Sequence, residues 1–151
     1  MPNTKIPPAD PHVSILLVDA NLAGSAARKL ILEEVGYQVE IAESGEDAVE
    51  RFREERHTVV VCDFRLPGMQ GPELIRILRE LEPRLAVIVL SGLSSTLGLT
   101  PEATGADVVL QKSASELTQL KRAVAKLAKP SRKPARKAGT KTRPLRKATG
   151  K

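Results

Sequence analysis

Four short apolar runs, each closed by a polar residue, constrain this chain more than any other feature. Val13-Ser14-Ile15-Leu16-Leu17-Val18 ends on Asp19, and Val59-Val60-Val61-Cys62 ends on Asp63. Leu85-Ala86-Val87-Ile88-Val89-Leu90 ends on Ser91, and Val108-Val109-Leu110-Gln111 is followed by Lys112. Runs that are apolar nearly throughout, rather than at alternate positions, fit strands covered on both faces, as in a parallel sheet. In an open parallel sheet the carboxyl ends of the strands face the crevice where ligands bind. Two carboxylates, a hydroxyl and an ammonium at that edge would suit a metal ion and a phosphoryl group.

Helical patterns separate the runs. After Asn21, a helix-capping residue type, Leu22, Ala26, Leu30, Ile31 and Val35 recur at helical spacing, and Gly36 suits the C-terminal stop. Tyr37–Ala42 alternates and reads as an edge strand. Ser44 with Asp47 resembles a capping box for a helix to about Arg56, with Ala48, Val49 and Phe52 inward. Pro67-Gly68 signals a turn, and Pro72 opens a helix to about Leu81 with Leu74, Ile75, Leu78 and Leu81 on its apolar face. The stretch Ser91–Thr104, with Gly92, Gly98, Pro101 and many Ser/Thr, predicts a short or irregular helix. Ser113 with Glu116 resembles another capping box, followed by Leu117, Leu120, Val124 and Leu127 at helical spacing to about Ala128. The result is five βα units, an α/β fold with right-handed crossovers and a doubly wound parallel five-stranded sheet.

Charge divides the chain. Residues 129–151 hold ten of the 24 Lys/Arg and no acid, so residues 1–128 carry a formal charge of −4 although the whole chain is +6. The expected division is a disordered, proline-rich lead-in over 1–11, a folded domain over 12–128 and a disordered basic tail over 129–151. The tail has Leu145 as its one large apolar residue and too few residues of this kind to build a DNA-binding output domain. It would attract nucleic acid by counterion release without reading sequence, or tether the domain to another polyanion. A single cysteine, Cys62, excludes an internal disulfide and reads as core packing. No apolar run reaches the ~18 residues of a membrane span and no signal-peptide core is present, so a cytoplasmic location is expected. Neither a GxGxxG nor a P-loop pattern occurs, which argues against a nucleotide-binding enzyme of the same architecture.

On these residues the chain resembles a response-regulator receiver domain of the two-component signalling family. The likeness spans about 13–128 and is strongest at Ile15-Leu16-Leu17-Val18-Asp19, at Asp63-Phe64-Arg65-Leu66-Pro67-Gly68-Met69-Gln70-Gly71, and at Gly105-Ala106-Asp107 leading to Lys112. The resemblance implies a flavodoxin-like sheet of order 2-1-3-4-5. It implies that Asp63 accepts a phosphoryl group from a sensor histidine kinase or phosphotransfer protein in a phosphorelay. Lys112 and Ser91 would bind the phosphoryl oxygens. Mg²⁺ would be held by Asp19, Asp63 and the backbone carbonyl of Arg65. A carboxylate is a competent nucleophile for an acyl phosphate, and the developing charge needs cations around it. Such a protein assists its own phosphorylation and is not an enzyme in the usual sense.

Three positions depart from the family pattern. The second acid after the first strand is replaced by Ala20, whose methyl group cannot coordinate a metal, so weak Mg²⁺ binding is expected, with Asp63 and an extra water compensating in part. The switch aromatic three residues before the lysine is Val109, and the proline after it is Ser113. These changes leave a second reading open: a degenerate, phosphorylation-independent binding module anchored to nucleic acid or another polyanion by its tail. The favoured reading is a single-domain regulator phosphorylated at Asp63. Arg65 is expected to point to solvent or to pair with Glu73 or Glu80, and His12 and His57 are expected to be solvated surface residues.

Overall fold

The computed structural model describes residues 13–92 and 99–128, so the lead-in over 1–11 and the tail over 129–151 lie outside the described residues. In chain order the elements are β1 (Ser14–Val18), α1 (Leu22–Val35), β2 (Gln38–Ala42), α2 (Gly45–Glu54) and β3 (Val59–Asp63). They continue with α3 (Gly71–Leu81), β4 (Ala86–Ser91), α4 (Pro101–Thr104), β5 (Val108–Gln111) and α5 (Glu116–Ala128). The strands form one five-stranded sheet of order β2-β1-β3-β4-β5 with every pairing parallel, the flavodoxin-like arrangement expected from the sequence.

Each central strand feeds two cores because its side chains alternate between faces. Leu16, Val18, Val60, Cys62, Val87 and Val89 pack with Ala48 and Phe52 of α2 and Leu74, Ile75 and Leu78 of α3. Ile15, Leu17, Val59, Val61, Ile88 and Leu90 pack with Leu32 of α1 and Leu120 and Val124 of α5. This is why the runs contain almost no polar residue. A fully buried side chain such as Phe52 or Leu16 contributes about 1.5–3 kcal/mol by leaving water. Among the described residues no helix is long and apolar enough to cross a membrane.

The expected caps form in part. The Asn21 side chain accepts from Gly24 N, Ser44 accepts from Asp47 N, and Gly36 adopts φ 118° at the end of α1. Between β4 and β5 the described residues include the four-residue α4, and residues 93–98 of the stretch expected to hold a short or irregular helix lie outside the described residues. Two expectations about which side chains are buried fail, one of them in part. His57 is buried rather than solvated: its Nε2 lies 2.9 Å from Glu40 Oε1 and its ring stacks on Phe52. The inner face of α1 is also different. Ser25, Arg28 and Leu32 are buried and Val35 packs against the core as expected, whereas Ala26 is exposed and Leu22 and Leu30 are 54% and 59% exposed. Apolar residues occur around much of α1, so periodicity alone leaves its rotation open. Ion pairs made by Arg28 select it.

Candidate functional site

The carboxyl ends of β1, β3, β4 and β5 are level. Val18 pairs with Cys62, Asp63 with Leu90, and Ser91 with Gln111. The backbone ladder continues one step past the strand ends: Asp19 N donates to Ala42 O (3.0 Å), Phe64 N to Leu90 O (2.9 Å) and Lys112 N to Ser91 O (3.0 Å). Asp19, Asp63, Ser91 and Lys112 are thereby fixed along one edge, as the sequence pattern anticipated. The loop after Asp63 is held close to α3 at Gly71. Its N–H donates to Phe64 O at 2.9 Å, and a Cβ there would sit 3.2 Å from Asp63 O, Phe64 Cα and Phe64 O. Gly68 takes φ +76°, which explains the Pro67-Gly68 turn.

Lys112 Nζ lies 3.1 Å from Asp63 Oδ2 and 3.9 Å from Asp19 Oδ2, bridging the two carboxylates. Ser91 is buried at the end of β4. Arg65 follows Asp63 in the loop with its side chain exposed, and among the described residues it forms no ion pair; Glu80 pairs instead with Arg76. Asp19 is only 4% exposed and has two roles. Its Oδ1 accepts from Asn21 N at 2.8 Å, a local turn bond, and its Oδ2 accepts from Arg28 Nη1 at 3.0 Å.

Arg28 was not singled out from the sequence, and Glu116 only as part of a helix cap, yet the two complete the site. The guanidinium donates through Nε to Glu116 Oε2 at 2.5 Å and through Nη2 to Glu116 Oε1 at 3.3 Å, a bidentate pair joining α1 to α5. Arg28 and Glu116 are 8% and 7% exposed. Burial opposes the Arg28 charge, but the hydrogen bond to Glu116 and the charges of Glu116 and Asp19 outweigh it and raise the Arg28 pKa. The expected Ser113–Glu116 capping box is therefore not formed. Glu116 N bonds Ser113 O, while the Glu116 carboxylate is taken by Arg28. Spacing could suggest the cap, but not a partner 88 residues away.

The donor set does not fit a resident divalent ion. Mg²⁺ needs near-octahedral oxygen ligands, usually one or two carboxylates and waters. Here Ala20 offers a methyl, Asp19 Oδ2 is already bonded to a guanidinium, and Asp63 Oδ2 faces an ammonium. Among the described residues no group of three or more His, Cys, Asp or Glu side chains is arranged to hold a metal. Next to the site, Cys62 is a core residue, as expected. Burial, with the Asp63 charge as a second cause, pushes its thiol up to about 12. Val109, where the family resemblance would place an aromatic, is half-buried against the core formed with α2 and α3.

Comparison with known proteins decides the family. A family model described as "Response regulator receiver domain" matches residues 15–125. The chain belongs to the response regulator receiver domain family. Among curated relatives, the transcriptional regulatory protein TrcR of Mycobacterium tuberculosis is 31% identical over 116 residues, 76% of this chain and 44% of TrcR. The transcriptional activator protein ExaE of Pseudomonas putida is 35% identical over 114 residues, 74% of this chain and 50% of ExaE. The transcriptional regulatory protein ZraR of Escherichia coli is 31% identical over 84 residues, 56% of this chain and 19% of ZraR. The chain thus spans half or less of the length of these curated relatives. Among solved structures, the response regulator protein TrrA from Thermotoga maritima, in complex with Mg(2+)-BeF, superposes with a TM-score of 0.68 at 30% identity. The match covers 76% of this chain and 98% of TrrA. A response regulator receiver domain protein from Clostridium thermocellum gives 0.69 at 25% identity, covering 77% of this chain and 94% of that one.

Proposed function

We propose that this receiver domain accepts a phosphoryl group on Asp63 from the phosphohistidine of a sensor kinase or phosphotransfer protein. The observation that carries the reading is the Lys112 ammonium 3.1 Å from Asp63 Oδ2 at the carboxyl edge of the sheet. An Asp63 carboxylate oxygen attacks phosphorus, the P–N bond to imidazole breaks, and the ring nitrogen leaves with the electron pair. Lys112 then faces the charge on the phosphoryl oxygens, and the Ser91 hydroxyl supplies a hydrogen bond. The role of Mg²⁺ is weak, because Ala20 removes one ligand and fixed cations already face Asp19 and Asp63. Leu22 and Leu30, exposed on α1, offer apolar surface to the donor protein.

Residues 129–151 add ten positive charges and no acid, and in this reading they hold the protein near nucleic acid or another polyanion. A cytoplasmic setting belongs to the same proposal. The phosphorylation-independent alternative draws its support from the occupied Asp19 carboxylate and from Val109. Transfer from a phosphorylated histidine donor protein separates the two readings. The phosphoryl group should move onto this chain and not onto Asp63→Asn. Equal labelling of both would remove Asp63 from the chemistry, and no labelling of either would favour the alternative.

A further inference from the structure

We infer that Arg28, pinned by Glu116, is the resident counter-cation of this pocket and stands where a divalent ion would pair with Asp19. The guanidinium spends one N–H group on Asp19 and two on Glu116, and all three side chains are at most 9% exposed. The bidentate bond to Glu116 on α5 fixes the direction of the guanidinium, so Asp19 meets a cation already in place. Gly24 leaves room for it, since a Cβ there would lie 3.1 Å from Arg28 Nη1.

Charge matching points the same way. Asp19 is paired by Arg28 and Asp63 by Lys112, with Lys112 Nζ a further 3.9 Å from Asp19 Oδ2. A divalent ion entering between these carboxylates would meet two fixed cations and would have to displace the guanidinium from Asp19 Oδ2. Displacement would leave Glu116 buried beside an arginine with one fewer partner, which is unfavourable. Arg28 makes no described contact with Asp63. It is a positioning residue that acts through Asp19, holding that carboxylate beside Lys112. The pocket thus carries two protein cations in place of one metal ion, and phosphorylation of Asp63 should proceed without Mg²⁺. This consequence rests on the phosphoacceptor reading above, whereas the occupancy of the Asp19 site does not.

The test uses the full chain. Mg²⁺ titration followed by backbone amide shifts, and Mn²⁺ line broadening, should leave the amides around Asp19 and Asp63 unmoved at millimolar metal. Arg28→Gln, which removes the contact charge, should gain metal affinity roughly tenfold or more. Saturable wild-type binding with local Mn²⁺ broadening would overturn the inference whether or not the variant folds, as would equal affinity in a folded Arg28→Gln. In parallel, intact mass is followed after a small-molecule phosphodonor with Mg²⁺ or with chelator. Equal gain in both supports the inference. Gain only with Mg²⁺ overturns it while keeping Asp63 as acceptor. No gain in either removes the acceptor reading, and the metal titration then decides the role of Arg28 by itself.

Discussion

Replacing Arg28 by methionine should be among the most damaging single changes in the domain. The substitution roughly conserves length but deletes three hydrogen bonds to two carboxylates, Asp19 and Glu116, that are 4% and 7% exposed. Removing one partner of a buried ion pair costs about 3–5 kcal/mol, because the remaining charge stays desolvated and unpaired. Two carboxylates share the loss here, so the upper half of that range is expected. For a domain of this size the melting temperature should fall by about 10–20 °C. Urea unfolding followed by circular dichroism measures the change, since the chain has no tryptophan. The triple variant Asp19→Asn/Arg28→Met/Glu116→Gln should recover most of the loss, because no buried charge remains unpaired. A loss below about 1 kcal/mol in Arg28→Met, the level of an exposed pair, would refute the reasoning. So would a triple variant less stable than the single one.

Asp107→Ala should cost about 2–3 kcal/mol in urea unfolding. Asp107 Oδ2 accepts from the Val87 N–H of buried β4 and from Arg79 Nη2, each at 2.8 Å, and a neutral result would show that neither bond matters. Native Cys62, buried and with its thiol pushed up to about 12, should react with an alkylating reagent only on unfolding; rapid labelling of the folded protein would contradict its burial. Burial opposes the Glu40 charge, but the His57 and Arg51 hydrogen bonds outweigh it and hold the Glu40 carboxyl below its usual value. That contribution is complete above the ordinary carboxylate range and is lost as pH falls through the depressed value. After discounting for its exposed side chain, Glu40→Gln should therefore cost up to about 1 kcal/mol at neutral pH, and the difference from wild type should close in acid. A difference that widens in acid would reverse the sign of the argument. Leu30→Glu should slow transfer from a phosphohistidine protein while leaving a small-molecule phosphodonor unaffected, and equal slowing of both would place Leu30 outside the donor-docking surface.

Much of the fold was legible because burial on both faces leaves an unmistakable trace. Leu85–Leu90 and Val59–Cys62 leave no polar position to misplace, and the residues that close those runs mark the edge of the sheet without ambiguity. The strand order followed from the family resemblance, since apolar runs do not say which strand lies beside which. The rotation of α1 was not legible. Its sequence offers Leu22, Ala26, Leu30, Ile31 and Val35 as an apolar stripe, and the structure keeps Val35 against the core but exposes Leu22 and Leu30 because Arg28 must reach both Asp19 and Glu116. A charged residue on an inner helix face is visible only when its distant partners are known. The same limit hid Glu116, whose spacing from Ser113 suggested a local cap. It also hid the burial of His57, which depends on Phe52 and Glu40 meeting it from α2 and β2.

Asp63 as the acceptor is tested by intact mass of the full chain after incubation with a small-molecule phosphodonor, beside Asp63→Asn and Lys112→Ala, with hydroxylamine added afterwards. The wild type should gain one phosphoryl group that hydroxylamine removes, as it does an acyl phosphate. Asp63→Asn should gain none and Lys112→Ala much less. A gain that persists in Asp63→Asn, or that resists hydroxylamine, would contradict Asp63 as the acceptor.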